Sequence, residues 1–260
     1  MNYISSAKDI TSIDSPPIVD AACEIRYNAQ VETNLIPGLL HVALTREGVD
    51  AQIADIESAH LIPAFLRSTD PALRNIHLFE FDHNSVKIRF GPGSLLISAC
   101  TPYPGWAVYS ADIGVVLSLF ERSGIMEDIE RVGIRFINFL ESANIDSSLK
   151  VSVNSSFSTE EDHERCIPLE VDSTSLAVTY KSGDRYARLS IQSPVKYTDS
   201  TNDDKEGILV DIDAFYGEDN IAHESLPATI DQLHELAKSI FFSSVKSESL
   251  GHIYHDQELS

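Results

Sequence analysis

The chain has 260 residues, 43% of them hydrophobic and 23% charged, enough apolar material to bury a core without disulfide staples. Its 40 Asp and Glu against 19 Lys and Arg leave a net charge of −21. Such a field repels phosphate backbones, anionic membranes and acidic substrates, which argues against direct nucleic-acid or membrane binding and favours a protein partner with a basic surface.

Residues 1–15 are polar and predict a flexible N-terminal arm ending at Pro16-Pro17. A period-2 stretch follows, with Val19, Ala21, Cys23, Ile25 and Tyr27 on one side and Asp20, Glu24, Arg26 and Asn28 on the other. That pattern is a strand with one buried face. Residues 35–48 predict a helix stopped by Gly48, and 50–75 are ambiguous because Pro63 and Pro71 break them. Three short strands are expected at 77–82, 86–90 and 94–100, joined by Asp82-His83-Asn84-Ser85 and Gly91-Pro92-Gly93 turns. A further strand is expected at 106–109, after which Ser110 would cap a helix carrying the stripe Ile113, Val116, Leu117 and Phe120 as far as Gly124.

The second half repeats this order. Gly133-Ile134-Arg135-Phe136 parallels Glu24-Ile25-Arg26-Tyr27, and strands are expected near 175–180, 186–192 and 208–215. A last helix near 228–243 has Thr229 and Gln232 at capping-box spacing and the apolar face Ile230, Leu233, Ala237, Ile240 and Phe241. The economical architecture is an α+β fold with a mostly antiparallel sheet built from two similar β-rich halves, 16–125 and 126–245, which share one core. Helices would pack on one face in a pseudo-duplicated, helix-grip-like arrangement, and 246–260 would form a polar tail.

Three segments in this order and spacing resemble a sporadically distributed family of uncharacterised prokaryotic proteins of similar length. They are Pro16-Pro17-Ile18-Val19 with Glu24-Ile25-Arg26-Tyr27, the run 90–98 with Tyr103-Pro104-Gly105-Trp106, and Arg131-Val132-Gly133-Ile134-Arg135-Phe136-Ile137-Asn138. The last is the most specific. The resemblance implies a bacterial or archaeal source and a patchy, gene-cluster type of distribution. It brings no activity, cofactor or catalytic residue. Residues 196–225 read as a variable insertion outside it.

Candidate chemistry is sparse. The three cysteines, Cys23, Cys100 and Cys166, are far apart and form no CxxC pair, so a reducing, cytoplasmic setting is expected and Cys23 reads as a small buried hydrophobe. No signal pattern opens the chain, and the longest apolar run, 113–120, is too short to span a bilayer. Asp211 and Asp213 alternate on one expected strand, so both carboxylates could hold one divalent metal; the plainer reading leaves them solvated with Val210 and Ile212 in the core. His252 with His255, and Asp231 with His234, have pairwise spacing only, short of three convergent ligands. There is no GxSxG elbow and no phosphate loop.

Arg26 and Arg135 hold matching places on the two related strands and could bind an anionic ligand, or else form ion pairs with Glu24 or between Asp20 and Arg131. Tyr103 and Trp106 flank a Pro-Gly turn, where aromatics line a pocket or pack under the loop. Acids concentrate at Asp203, Asp204, Glu206, Glu218 and Asp219, with a second knot at Glu160, Glu161, Asp162 and Glu164. These could dock a basic partner. The expected function is a non-enzymatic interaction or regulatory protein without a cofactor, in a regulatory, defence or toxin-neutralising gene cluster. The alternative is a small anionic-ligand binder or enzyme with a pocket between sheet and helices.

Overall fold

The alternation at 19–27 becomes a strand with one dry face, on which Ala21, Cys23, Ile25 and Tyr27 are buried while Asp20, Glu24 and Arg26 keep access to solvent. This is a computed structural model that describes residues 10–13, 15–70, 73–141, 148–150, 173–198, 203–217, 225–250 and 253–255. In chain order the elements are β1 (Ile10–Ile13), β2 (Ile18–Asn28), α1 (Ile36–Arg46), β3 (Ala54–Asp55), α2 (Glu57–His60), α3 (Ala64–Thr69), β4 (Phe79–His83) and β5 (Val86–Phe90). They continue with β6 (Ser94–Ala99), α4 (Trp106–Ser123), β7 (Glu127–Leu140), β8 (Thr174–Ser182), β9 (Arg185–Thr198), β10 (Asp204–Tyr216), α5 (Leu226–Ser244) and β11 (Ile253–His255).

The fold is α+β. Nine strands form one antiparallel sheet in the order β3-β4-β5-β6-β2-β7-β10-β9-β8, and β1 pairs with β11 in a separate two-stranded sheet. At the centre of the large sheet, Ala21 lies opposite Phe136, Cys23 opposite Ile134 and Ile25 opposite Val132. Directly opposite residues share a face, so the apolar sets of β2 and β7 merge into one surface. The long helices cover that surface. Phe120 of α4 meets Phe90 edge-on at 5.4 Å, and Tyr109 donates its hydroxyl to Ile97 O at 2.7 Å. On α5, Ile230, Leu233, Ala237, Ile240 and Phe241 are buried as their spacing predicts, and α1 packs beside α4. None of these three helices lies on the opposite face. Burial pushes the Cys23 thiol up to about 12, followed by the nearby Glu24 charge, so Cys23 behaves as an inert core residue.

Several local expectations change. Ile10–Ile13, within the expected flexible arm, is strand β1, and Ile253–His255, within the expected polar tail, is the strand paired with it. Residues 106–109 are the first turn of α4, not a strand, and Gly105 precedes it with φ 89° and no side-chain cap. Tyr109 is fully buried and tied to β6, so tertiary contacts override the β preference of an aromatic, β-branched tetrapeptide. Ser110 therefore sits inside the helix, which ends as expected at Gly124, φ 67°. The Thr229–Gln232 capping box does not form either. The helix begins at Leu226 with Pro227 in its first turn, where a missing N–H costs nothing. Finally, β10 starts at Asp204, so Asp204 and Glu206 belong to a strand rather than a loop. Among the described residues, no helix is long and apolar enough to cross a membrane.

Candidate functional site

The sheet face opposite α1, α4 and α5 is organised around Gly133. Glu24 lies directly opposite Gly133 on β2, and Phe215 directly opposite it on β10. Without a side chain at this position, the guanidinium of Arg131 can lie across the strand. A Cβ on Gly133 would stand 2.7 Å from Arg131 Nη1. Arg131 donates from Nη1 to Glu24 Oε2 at 2.5 Å and from Nη2 to both Asp213 oxygens, at 3.1 and 2.9 Å. Its Cζ also sits 4.8 Å above the Phe215 ring, a cation–π contact.

Arg26 faces Arg131 across the β2–β7 ladder, a like-charge pair that would be unfavourable alone. Glu24 resolves it, because the same Oε2 also accepts from Arg26 Nε at 3.1 Å. Arg135 lies opposite Asp213 but bonds diagonally to Asp211, Nε to Oδ1 at 2.8 Å and Nη2 to Oδ2 at 2.7 Å. The Asp211 hydrogen bonds raise the pKa of Arg135 against the opposing effect of burial. On β4 and β5, Glu80 takes Lys87 and Arg89, each at 3.2 Å. Burial works against the ionised Glu80, yet these two cations outweigh it and lower its pKa. A concavity of about 840 Å³ lies over Glu24, Arg26, Arg131, Arg135 and Asp213 and reaches the exposed Cys100.

The expected site residues fall into place unevenly. Arg26 and Arg135 do share the polar face, and each is engaged by a carboxylate. Asp211 and Asp213 also share that face while Val210 and Ile212 are buried, but each aspartate is held by its own arginine rather than turned toward the other. No cluster of three or more His, Cys, Asp or Glu suited to a metal occurs among the described residues. Asp203, Asp204 and Glu206 are exposed at the start of β10, where Asp204 accepts from Thr198 Oγ1 at 2.8 Å and Lys205 reaches Glu141 at 3.4 Å. Glu218, Asp219 and the knot at 160–164 lie outside the described residues. So do Cys166 and His252. Sequence reasoning missed Arg131 as the hub. The Arg131-x-Gly133-x-Arg135 spacing carried that signal, since it sets two guanidiniums on one face with a gap between them.

A second feature lies on the covered face. Between α5, the start of α4 and strands β7 and β10 there is a cavity of about 350 Å³, with Pro16, Pro17 and Ile18 at its rim. Trp106 and His234 stack in parallel on its wall, 3.8 Å apart and tilted by 2°. Phe136, Ile212 and Phe241 supply further apolar lining. Burial, followed by the charge of Lys238, lowers the His234 pKa to about 4, so its imidazole is neutral near pH 7. Asp231 is exposed on the same helix and takes no part in this wall. The two halves of the ligand-binding expectation thus separate: the pocket is on the side of α1, α4 and α5, while Arg26 and Arg135 are on the opposite side.

No protein-family model matches the chain, and no curated protein matches it.

Proposed function

We propose that this protein is a non-enzymatic interaction protein that binds a macromolecular partner through the sheet face opposite α1, α4 and α5 and the acidic end of β10. The observation that carries this is the fixed ion-pair relay Arg26–Glu24–Arg131–Asp213 beside Arg135–Asp211. A polar antiparallel face is ordinary. One whose arginines are already held by carboxylates is a pre-organised polar surface, which loses less side-chain entropy when a partner docks. Arginine is enriched in protein interfaces for related reasons. The exposed Asp203, Asp204 and Glu206 favour a partner with a basic patch.

The proposal extends to setting and ancestry. A cytoplasmic location fits three widely spaced cysteines without a CxxC pair, of which Cys23 and Cys100 are free, and a regulatory, defence or toxin-neutralising gene cluster rests on the family resemblance alone. Two similar halves are supported by strand order, since β2 and β7 each neighbour a three-strand meander followed by a helix.

The test uses the full chain, an Asp203→Lys, Asp204→Lys, Glu206→Lys triple variant, and Arg135→Glu. A partner recovered from the source lysate would be purified and titrated against each by calorimetry, at low and moderate salt. The reading expects direct binding that weakens with salt and falls about tenfold or more in both variants. It fails if no purified partner binds the wild type, or if both variants bind as tightly as the wild type does.

A further inference from the structure

The cavity beneath α5 is independent of the ion-paired face and has a chemistry of its own. Its volume of about 350 Å³ stands at the small end of the range, roughly 300–1,000 Å³, that small-molecule sites occupy. An apolar cavity of about 150 Å³ takes up one benzene ring, so this one has room for two fused rings. Its aromatic walls offer flat faces, with Trp106 and His234 presenting one stacked edge and Phe136 meeting His234 at 67° and 5.9 Å.

The polar side chains in the described lining are few and unequal: besides the Tyr103 hydroxyl, which burial keeps protonated, they are Asn138, Glu235, Lys238 and His234. Asn138 is buried and donates its amide to Val210 O at 3.2 Å. Glu235 and Lys238 lie 3.9 Å apart on α5 and offset each other's charge. His234 differs from these. Its Nδ1 is sealed from solvent and lies 3.4 Å from Glu235 Oε1 without hydrogen-bond geometry. A carboxylate on that side favours the tautomer with the proton on Nδ1, which makes Nε2 the acceptor. The His234 side chain is 14% exposed although its Nδ1 is sealed, and Nε2 is not among the sealed unpartnered atoms. Nε2 makes no hydrogen bond among the described residues.

We propose that this cavity binds a small, uncharged, two-ring apolar molecule carrying one hydrogen-bond donor, with its rings against Trp106 and Phe136 and its donor on His234 Nε2. Apolar area supplies most of the affinity, and the neutral acceptor supplies the choice among ligands of the same shape. A carboxylated or phosphorylated ligand is disfavoured, because Lys238, the one cation in the lining among the described residues, is matched by Glu235.

The probes are indole, which has two rings and an N–H, and 1-methylindole, which keeps the rings and lacks the donor. Trp106 is the single tryptophan, so a ¹⁵N-labelled full chain shows one indole N–H resonance, and that resonance sits on the cavity wall. Indole should shift it saturably, and 1-methylindole should do so about tenfold more weakly. His234→Phe keeps a stacked ring and removes the acceptor, so it should reduce indole to the affinity of 1-methylindole while leaving the latter unchanged. Absence of any saturable shift in the wild type overturns the proposal. Equal wild-type affinities for the two probes overturn the role of His234, a comparison that needs no variant to fold.

Discussion

Gly133 is the seat of the Arg131 guanidinium, with Nη1 at 2.7 Å and Cζ at 3.0 Å from where a Cβ would stand. The arginine can reach Glu24 on one neighbouring strand and Asp213 on the other only because the residue between them has no side chain. A charge relay three strands wide thus depends on one missing methyl group.

Gly133→Ala should therefore displace Arg131 and weaken both of its ion pairs, while the backbone stays where it is. The atoms in the way are the far end of a flexible side chain, so the cost should be about 1 kcal/mol. Gly207→Ala is the contrast: its Cβ would meet Leu140 O at 2.3 Å and the Phe139 ring at 2.6 Å. That strain falls on backbone and a packed ring and should cost about 3 kcal/mol. Urea unfolding of the two variants checks the ranking.

The Arg131–Asp213 and Arg135–Asp211 pairs should differ in strength. Arg131 is 17% exposed and Asp213 31%, whereas Arg135 is 51% exposed. A double-mutant cycle with alanine should give a coupling of about 1–2 kcal/mol for Arg131–Asp213 and below about 1 kcal/mol for Arg135–Asp211, because solvent screens the exposed guanidinium. Raising the salt should shrink the second coupling more.

His234 sets a pH dependence. Its folded pKa of about 4 lies below the ordinary 6.5, so the unfolded chain binds the extra proton between these values. Stability from this group is full above about pH 6.5 and declines as pH falls toward 4, by about 3 kcal/mol overall. The Lys238 charge opposes protonation of the ring, and Glu235 stands beside Nδ1. His77 is also lowered, chiefly by burial, and adds a decline of the same sign. His234→Phe should flatten the His234 part alone, measured as the difference between wild-type and variant unfolding free energies at pH 7.5 and 5.

Asp112, on α4, fastens the β4–β5 turn. It accepts from Asn84 Nδ2 at 3.0 Å, from Ser85 N–H at 3.2 Å and from the Ser85 hydroxyl, at a turn where Asn84 has φ 48°. Burial resists ionisation, but these bonds outweigh it and hold the carboxyl below its usual 3.8. Asp112→Ala should cost about 2–3 kcal/mol, since it strips a charged acceptor from three donors. In the wild type this contribution is present above pH 3.8 and is lost as pH falls through the lowered folded value, below the histidine window. Acid titrations of wild type and variant should converge only there.

Much of the architecture was readable from the chain because it rests on local periodicity. The alternation at 19–27, the stripe of Ile113, Val116, Leu117 and Phe120, and the stop at Gly124 all express one period against one buried face. Asp211 and Asp213 on a shared face follow from the same rule. Residues 106–109 were misread because their preference is local and their conformation is not. Tyr109 belongs to the helix because its hydroxyl meets β6.

By itself, then, the sequence determined the α+β class, the charge, and which side of each central strand is wet. Tertiary structure decided the rest. Only strand register sends Arg131 past Gly133 to two acids on different strands, and only the approach of α5 to α4 stacks His234 on Trp106. Periodicity states which face a side chain takes. Partners on that face depend on register and helix placement, which are set by the packing of segments far apart in the chain.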